Sequence, residues 1–598
     1  MKRFSVVGAL LTVFLAPFFA PLLHAQSQAG FRLFEQRCAS CHQAVTNAPG
    51  APAAAKLRRM SPEVIYAALT TGKHANLQGP TEEEKRRVSA YLGGRKVGMA
   101  EIGDAGRMSN RCTSNPPLGD ISTRPMWNGW GVDVTNGRYQ PASAAGLTAA
   151  QVPQLKLKWV FGLPEAEEVY GQPTIAAGRV WVSSDMGTLY SLDAATGCVY
   201  WSFQAEGGMR NAVTIAPIKA QAGKYALYFG DIRGNVYRID AQTGAQLWKV
   251  SVEEQPTAQI TGAPVLYEDR LYVPVSAAEE RAAGVGAAYE CCTFRGSVVA
   301  LDANNGKRIW KTYIIPDAPK PIGKTVKGVQ RWAPAGAAIW LTPTVDAQRR
   351  ALYIGTGDSY THPAPKTTDA VMALDMASGK VLWSVQDTEN DAWIVGCGGA
   401  NKAPNCPEDL GPDYDFGASP ILRNLGNGKR VLLAGQKSGI VWSHDPDQNG
   451  KVLWKVDLGS EITFGGAADQ QNAYFAVNAG GVAAINMATG EKKWFTPTAR
   501  PEGQRGPFGN AAAVTAIPGV VFAGSWEGML RAYASEDGRV LWEFNTAQEY
   551  KTVNGVPAKG GSMGGPGPTV AGGMLFVGSG YIFGGGNVGN ALLAFSTE

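Results

Sequence analysis

From about residue 121 onward, short apolar runs alternate with polar turns, and one unit recurs along the chain. The unit has an apolar strand ending in Asp, a turn containing Gly, and a second strand ending in Trp, as in Asp193, Gly197 and Trp201. Short apolar runs bounded by such turns are typical of β-strands. Further copies, some weaker, end at Trp248, Trp310, Trp383, Trp454, Trp494 and Trp542. The pattern predicts an all-β domain of repeated antiparallel units.

An eighth copy of the unit is divided between the two ends of this region. Trp159 ends a strand that has no Asp and Gly turn before it, whereas residues 591–595 form an apolar strand with no Trp after it. Joined, the two halves complete one more unit. Four-stranded units arranged radially form a propeller, and closure by strands from both ends covers the exposed sheet edges. We therefore predict an eight-bladed propeller over residues 121–598.

Three consecutive intervals between the repeated tryptophans are longer than a blade needs. The intervals that end at Trp310, Trp383 and Trp454 span 62, 73 and 71 residues, whereas a blade is complete in about 40–45. The surplus residues belong in loops, where function concentrates on rigid scaffolds. We label the four strands of a blade A to D in chain order. In an antiparallel blade, the B-to-C turn and the connection from strand D to strand A of the next blade lie on the same face. The Asp and Gly turns are C-to-D turns on the opposite face, so we interpret the repeated Asp and Trp as scaffold residues.

The preceding residues, 26–95, predict a small all-α domain. Ser61 followed by Pro62 is a helix start, and Thr81 with Glu84 forms a capping box before a second helix. Residues 96–120 contain several Gly and Pro residues and are predicted to be a linker.

The first 25 residues have the pattern of an export signal. Lys2 and Arg3 precede an apolar stretch, and Ala25 offers a small-residue cleavage site. The alternative is an uncleaved membrane anchor. Export predicts a periplasmic protein and permits disulfides. The formal charge is +5 for the whole chain and +3 without this segment, which gives no indication of nucleic-acid binding.

Cys38, Cys41 and His42 form a CxxCH motif in the predicted helical domain. Two cysteines at this spacing can bond to the two vinyl groups of a haem, and the adjacent histidine can ligate its iron. A zinc site or a redox CxxC is the alternative. The motif predicts a c-type cytochrome domain with one covalent haem.

The sixth haem ligand is predicted to be His74. It follows Gly72 and Lys73, in the region where cytochromes c commonly place a methionine. Met60 and Met99 are the alternatives. An imidazole in place of a thioether would lower the haem potential.

The other six cysteines predict disulfides. Cys291 and Cys292 are adjacent and either form a vicinal bridge or are free or separately paired. Cys397 and Cys406 flank a short loop and are predicted to close it. Cys112 and Cys198 then remain, and we pair them by elimination.

The repeat, the vicinal cysteines and the eightfold count together resemble the quinoprotein alcohol dehydrogenases, which bind pyrroloquinoline quinone (PQQ) and a metal ion on the propeller axis. The resemblance covers residues 121–598. A cytochrome before the propeller and the segment 290–296, ECCTFRG, make the polyvinyl-alcohol-oxidising group the most similar one.

The resemblance implies a Ca²⁺ or lanthanide ion. In the family, a glutamate after strand B of the third blade ligates the metal, which matches Glu279, with Glu290 as the alternative. An amide or acid after strand B of the fourth blade is a further ligand, which matches Asp358. Asp stands here in place of the usual Asn and adds negative charge. Asp415 resembles an additional aspartate of lanthanide-using relatives.

The resemblance also implies the residues that hold the quinone. Trp340 matches the tryptophan that stacks beneath the quinone, and Lys437 matches the cation that contacts its carbonyl oxygens. Arg210 matches the arginine that pairs with one of its carboxylates. Cys291 and Cys292 match the family's vicinal pair.

The catalytic base implied by the resemblance is Asp413, which precedes an apolar strand in the fifth blade. Asp391 and Asp415 are the rival candidates. The implied reaction is oxidation of an alcohol, with polyvinyl alcohol or another secondary alcohol as substrate and a ketone as product. Electrons would pass through the haem to an external cytochrome c. Small primary or aromatic alcohols are the alternative substrates, and a non-catalytic scaffold propeller is the alternative from another class.

Overall fold

The structure is a computed structural model that describes residues 25–42, 51–75, 79–219, 221–285, 289–399, 402–426, 428–500, 506–582 and 585–598. Apart from Ala25, the predicted export signal lies outside the described residues. Helices cover Ala25–Arg37, Ala39–His42, Ala54–Leu57, Pro62–Thr70, Glu82–Gly93, Met99–Ile102, Ala142–Ala145 and Glu279–Val285. Short 3₁₀ turns cover Ala105–Arg107, Ile121–Thr123 and Val152–Gln154. Within these ranges, each helix is too short or too polar to cross a bilayer.

The helical domain begins its helices where the sequence predicts. Ser61 Oγ accepts a hydrogen bond from the amide of Val64, and Thr81 and Glu84 form the reciprocal capping box. The first helix packs against Glu82–Gly93 around a core that includes Phe34, Ile65, Val88 and Leu92. The predicted all-α domain is confirmed.

The propeller has eight antiparallel sheets within the described residues, seven with four strands and one, in blade 3, with a fifth short strand, so the predicted fold is confirmed. Blade 1 comprises Thr174–Ala176, Arg179–Ser183, Thr188–Asp193 and Val199–Gln204, and blade 2 comprises Thr214–Pro217, Tyr225–Gly230, Asn235–Asp240 and Gln246–Ser251. Blade 3 comprises Val265–Tyr267, Arg270–Ala277, Ser297–Asp302 and Arg308–Tyr313, and blade 4 comprises Thr344–Asp346, Ala351–Gly355, Ala370–Asp375 and Val381–Gln386.

The remaining blades follow in chain order. Blade 5 comprises Ile421–Asn424, Arg430–Gly435, Ile440–Asp445 and Lys451–Asp457, and blade 6 comprises Ala467–Ala468, Asn472–Ala476, Gly481–Asn486 and Lys492–Pro497. Blade 7 comprises Thr515–Ile517, Val520–Gly524, Met529–Ala534 and Val540–Asn545, and blade 8 comprises Thr569–Ala571, Met574–Ser579, Ala591–Ser596 and Lys156–Gly162. Additional short strands are Ala258–Gln259, the hairpin Lys320–Lys324 with Gln330–Ala333, and the pair Glu549–Tyr550 and Ala558–Lys559.

The last blade closes the ring with strands from both ends of the domain, as predicted. Lys156–Gly162 pairs antiparallel with Ala591–Ser596, and Trp159 lies opposite Ala594. The first and last strands of the propeller therefore hydrogen-bond to each other, which closes the ring.

The repeated Trp and Gly residues pack neighbouring blades together. A Cβ on Gly244 would lie 2.7 Å from the ring of Trp201, and one on Gly379 would lie 2.5 Å from the ring of Trp310, so only glycine fits there. The ring nitrogen of Trp310 donates to the carbonyl of Met376 in the next blade at 3.2 Å. These contacts support the interpretation of the repeated Trp residues as scaffold residues.

Residues 96–120, predicted to be a linker, contact blade 1. They contain the helix Met99–Ile102, and the amide of Cys112 donates to the carbonyl of Val199 at 3.0 Å. The predicted disulfides Cys112–Cys198 and Cys397–Cys406 are both formed. The segment that connects the two domains is therefore attached to the last strand of blade 1 by a disulfide and backbone hydrogen bonds.

The helical domain contacts loops on one face of the propeller. The amide of Gly208, between blades 1 and 2, donates to the carbonyl of Gly94 at 2.9 Å. Arg233, in the B-to-C turn of blade 2, donates to the carbonyl of Arg58 at 2.7 Å. Both propeller loops are on the D-to-A and B-to-C face, where the sequence analysis also places the candidate site.

Candidate active site

Three aspartates from loops on this face lie together in the structure. Asp358 follows strand B of blade 4, and Asp413 and Asp415 precede strand A of blade 5. Each offers a carboxylate oxygen, and these oxygens all lie within 4.8 Å of one another. Lys437 follows strand B of blade 5 and forms ion pairs with two of them. Its Nζ lies 2.6 Å from Oδ1 of Asp413 and 2.8 Å from Oδ2 of Asp415. We call Asp358, Asp413 and Asp415 the acid group.

The acid group suits a cation. Asp358 and Asp415 are buried, and Oδ2 of Asp358 has no hydrogen-bond partner among the described residues. Burial, with further repulsion from Asp415, raises the pKa of Asp358 well above its ordinary value. Burial also raises the pKa of Asp413 to about 8, although the ammonium of Lys437 opposes this shift. A multivalent ion among these oxygens would compensate the crowded negative charge.

Glu279, expected to be a metal ligand, lies apart from this group. Its carboxylate accepts hydrogen bonds from the amides of Thr293 and Phe294, at 2.9 and 2.7 Å, and from Tyr289 Oη at 3.1 Å. Its oxygens are therefore used to hold the loop that follows the vicinal cysteines. The alternative, Glu290, is half-buried and is not in the acid group either.

Glu280 is the glutamate that interacts electrostatically with the acid group. Burial raises its pKa to about 7, Lys437 lowers it and Asp415 raises it. Glu280 was not among the residues predicted from the sequence. Adjacent residues on a helix point about 100° apart, so only one of Glu279 and Glu280 can face the axis. The Glu-Glu pair was visible in the sequence, but the rotation of helix Glu279–Val285 was not.

The vicinal cysteines form a disulfide, as one of the two sequence interpretations predicts. The pair is buried, and its peptide bond is cis, with Cα atoms 3.0 Å apart. Its backbone pairs with the hairpin that follows blade 3. The amide of Trp332 donates to the carbonyl of Cys291 at 2.7 Å, and Cys292 donates to the carbonyl of Trp332 at 3.1 Å. The disulfide shares a hydrophobic cluster with Trp340.

Trp340 and Arg210 line the same axial pocket. Nζ of Lys437 lies 5.6 Å from the ring centroid of Trp340, so this ring lies beside the acid group. The guanidinium of Arg210 lies 4.8 Å from the ring of Tyr170 and donates to Tyr581 Oη at 3.4 Å. The pocket thus combines an aromatic surface with the half-buried guanidinium of Arg210, which suits a flat, carboxylated ring system. The acid group is not part of its lining and lies next to Trp340. Tyr170 and Tyr581 were not predicted from the sequence, since single aromatic residues in loops carry no distinguishing pattern.

Asp391, a rival candidate for the base, has both carboxylate oxygens engaged by backbone. They accept hydrogen bonds from the amides of Asp413 at 3.1 Å and Tyr414 at 2.6 Å. One carboxylate oxygen of Asp413 forms an ion pair with Lys437, and the Asp413 side chain is 24% exposed. Of the two, Asp413 is therefore the carboxylate that a substrate can reach.

The helical domain presents the haem motif in a suitable arrangement. Cys38 and Cys41 have free thiols, and His42 is buried with Nδ1 2.7 Å from the carbonyl oxygen of Pro52. That contact orients the ring and leaves Nε2 for iron. The ring of His74 lies 5.9 Å from that of His42 between centroids.

The two alternatives to His74 lie in other surroundings. Met60 packs against the core of the helical domain, and Met99 is fully buried in a later helix.

Comparison with known families separates the chain into the same two parts. The family described as glucose/ethanol/alcohol dehydrogenase, beta-propeller domain, which is named for PQQ, matches residues 127–395. The family described as cytochrome C oxidase, cbb3-type, subunit III matches residues 25–92.

Two relatives resemble the whole chain. A polyvinylalcohol dehydrogenase from Pseudomonas sp. is 41% identical over 95% of this chain and 93% of its own length. The chain belongs to the polyvinylalcohol dehydrogenase family. A second such enzyme, from Sphingopyxis sp. (strain 113P3), is 38% identical over 99% of this chain and 97% of its own length. This member of the family is accordingly a PQQ-dependent alcohol dehydrogenase that carries haem.

Solved structures agree on the fold of this family member. The quinohemoprotein alcohol dehydrogenase from Comamonas testosteroni superimposes with a TM-score of 0.58 at 18% identity, covering 79% of this chain and 80% of its own. A europium-containing methanol dehydrogenase superimposes with a TM-score of 0.56 at 16% identity, covering 80% of this chain and 99% of its own.

Proposed function

We propose that the protein oxidises the secondary hydroxyl groups of polyvinyl alcohol, or of a similar alcohol, to ketones. The observation that carries this proposal is the acid group with Lys437, which lies beside Trp340 and the vicinal disulfide on the face that contacts the cytochrome domain. The near-full-length likeness to two polyvinylalcohol dehydrogenases supports the substrate.

Asp413 is the proposed general base. Its carboxylate is reachable, and it takes the proton of the substrate hydroxyl, which makes loss of hydride from the adjacent carbon easier. Lys437 holds Asp413 and Asp415 in place through two ion pairs and supplies positive charge next to the Trp340 ring. PQQ, when bound between that ring and the disulfide, would supply the hydride acceptor. Arg210 would pair with one of its carboxylates.

Asp358, Asp415 and Glu280 are the proposed metal ligands, with Glu280 in the place that the sequence analysis gave to Glu279. Their carboxylate oxygens suit Ca²⁺ or a lanthanide ion. A bound ion would act as a Lewis acid on the oxygen that gains negative charge during the reaction.

Cys38 and Cys41 are proposed to attach one haem, with His42 and His74 as its axial ligands. The cytochrome domain is held on the propeller face that carries the acid group, which keeps the haem at high effective concentration for electron transfer. An external cytochrome c or similar carrier is the proposed final acceptor. The sequence of residues 1–25 supports a periplasmic location, which N-terminal sequencing of the mature protein would test, since Gln26 is the expected first residue.

Stopped-flow measurement of haem reduction tests the substrate. The protein is loaded with PQQ and either Ca²⁺ or a lanthanide, then mixed with polyvinyl alcohol, secondary alcohols, ethanol and an aromatic alcohol. We expect the polymer and the secondary alcohols to reduce the haem fastest. If they fail where ethanol succeeds, the protein oxidises small primary alcohols instead. If no alcohol reduces the haem, the proposed reaction is wrong.

A further inference from the structure

Asp391 joins the two loops that carry the acid group. We propose that Asp391 is a positioning residue, which holds Asp413 in the orientation needed for proton removal without contacting the substrate. This inference rests on the proposed function of Asp413. Asp391 is fully buried and belongs to the long connection between blades 4 and 5.

The carboxylate of Asp391 fixes the backbone on which Asp413 is carried. Its Oδ1 lies 3.1 Å from the amide nitrogen of Asp413, and its Oδ2 lies 2.6 Å from the amide nitrogen of Tyr414. Asp413 has φ of +66°, a left-handed conformation that residues other than glycine rarely adopt. Two charge-assisted hydrogen bonds from consecutive amides stabilise that conformation, which the local sequence alone does not favour.

The backbone of the same segment fixes Asp358. The amide of Ser359 donates to the carbonyl of Asp391 at 3.1 Å, and the amide of Trp393 donates to the carbonyl of Ser359 at 2.8 Å. Ser359 directly follows Asp358. A single buried residue therefore sets the relative position of two loops that come from different blades.

Gly411 allows Asp391 to reach these amides. A Cβ at position 411 would lie 2.2 Å from Oδ1 of Asp391 and 2.6 Å from the amide nitrogen of Ala392. The amide of Gly411 also donates to the carbonyl of Ala392 at 2.9 Å. Because the chain passes this close, a side chain at 411 would displace the carboxylate from Asp413. Gly411→Ala is therefore an independent way to disturb the same contact.

The test uses single-turnover haem reduction at saturating alcohol in the PQQ-loaded protein. In Asp391→Asn, one oxygen becomes an NH₂ group that cannot accept from an amide, so one of the two hydrogen bonds is lost. We expect the first-order rate constant to fall about 100-fold, the loss typical of a misplaced catalytic group, while the alcohol concentration for half-maximal rate changes less than about threefold. Gly411→Ala should give a similar fall. The rate constant of the double variant should be within about threefold of that of either single variant, because both changes release the same loop.

Loss of folded protein cannot imitate this result, since it lowers the amplitude of haem reduction and leaves the rate constant unchanged. Asp346→Asn is a matched control. Asp346 is also a buried aspartate of blade 4, and it accepts a hydrogen bond from the backbone amide of Arg349 at 3.0 Å. It is the last residue of strand A, before the A-to-B turn on the opposite face. Its rate constant should remain within about twofold of wild type, because Asp346 is on the face opposite to the acid group and contacts none of its residues.

The outcomes distinguish the positioning role from its rivals. A rate constant for Asp391→Asn within threefold of wild type, or a double variant slowed by the product of the two single effects, would overturn it. If Asp391→Asn abolishes reduction while Asp413→Asn retains it, Asp391 is itself the base. Failure of the wild-type protein with every alcohol contradicts the proposed function, and is seen before any variant is compared.

Discussion

Nζ of Lys437 lies 2.6 Å from Oδ1 of Asp413, although the two residues belong to connections on either side of blade 5's first two strands. The Lys437 side chain is 16% exposed and the Asp413 side chain 24% exposed. At this depth an unpaired carboxylate would tend to be neutral, so the ion pair favours the ionised form that a base requires. The proposed base and its stabilising cation are thus assembled by a single blade.

Replacing Asp413 tests its role directly. We expect Asp413→Asn to bind PQQ but to reduce its haem about 10² to 10⁴ times more slowly, the range lost when a general base is removed. Stopped-flow absorbance measures the rate, and titration with PQQ measures binding. Asp445 is the last residue of strand C of the same blade, before the C-to-D turn on the opposite face, and Asp445→Asn should react at the wild-type rate. Near-normal turnover by Asp413→Asn would exclude it as the base.

Two adjacent glutamates should respond differently to the same substitution. Glu280→Gln removes a carboxylate that interacts with Asp415 and Lys437, so we expect about tenfold weaker binding of Tb³⁺, measured by its luminescence in the PQQ-free protein. Glu279→Gln should retain Tb³⁺ binding and instead lower the melting temperature, because the amides of Thr293 and Phe294 lose charged acceptors. The reverse result would restore Glu279 as the ligand.

The haem potential should report its sixth ligand. We expect His74→Met to raise the midpoint potential, since a thioether favours the reduced iron more than an imidazole does. Spectroelectrochemical titration of the purified protein provides the measurement. Met60→Leu is the control and should leave both the potential and the visible spectrum unchanged. A change with Met60→Leu but not with His74→Met would assign the ligand to Met60.

The pH dependence follows from the ionisation of Asp413. Burial raises its pKa to about 8, and only the deprotonated form can accept the hydroxyl proton. The rate of haem reduction should therefore rise with pH, reach half of its maximum at about pH 8 and level off above it, or do so at lower pH when a bound cation lowers the pKa. Rates measured from pH 5 to 9 at constant ionic strength test this. A rate that falls throughout this range would contradict the assignment.

Electron transfer between the domains should depend on Arg233. Arg233→Ala removes donors to the carbonyl of Arg58, at 2.7 and 3.1 Å, which hold the cytochrome domain on blade 2. We expect slower haem reduction after mixing with alcohol, while oxidation of the alcohol with an artificial dye acceptor is unchanged. Arg531→Ala, on blade 7, is the matched control and should affect neither rate. Equal slowing of both reactions would show a general loss of structure instead.

Features that repeat or that act locally were predictable from the sequence. The Asp, Gly and Trp unit specified eight blades and their closure, because the same strand period and the same small turn residue recur in each unit. Helix starts at Ser61 and Thr81 followed from capping within four residues. The disulfides and the CxxCH motif depend on cysteine count and spacing, which are properties of the chain itself.

The tertiary structure decided which acidic side chains meet. Glu279 and Glu280 differ only in the side of a helix on which they lie, and the packing of that helix sets its rotation. Asp391 has the sequence surroundings of an ordinary loop aspartate, and only the folded connection brings its carboxylate to the amides of Asp413 and Tyr414. The sequence alone determines the repeat because each unit carries its own signal, whereas the site depends on contacts between loops far apart in the chain.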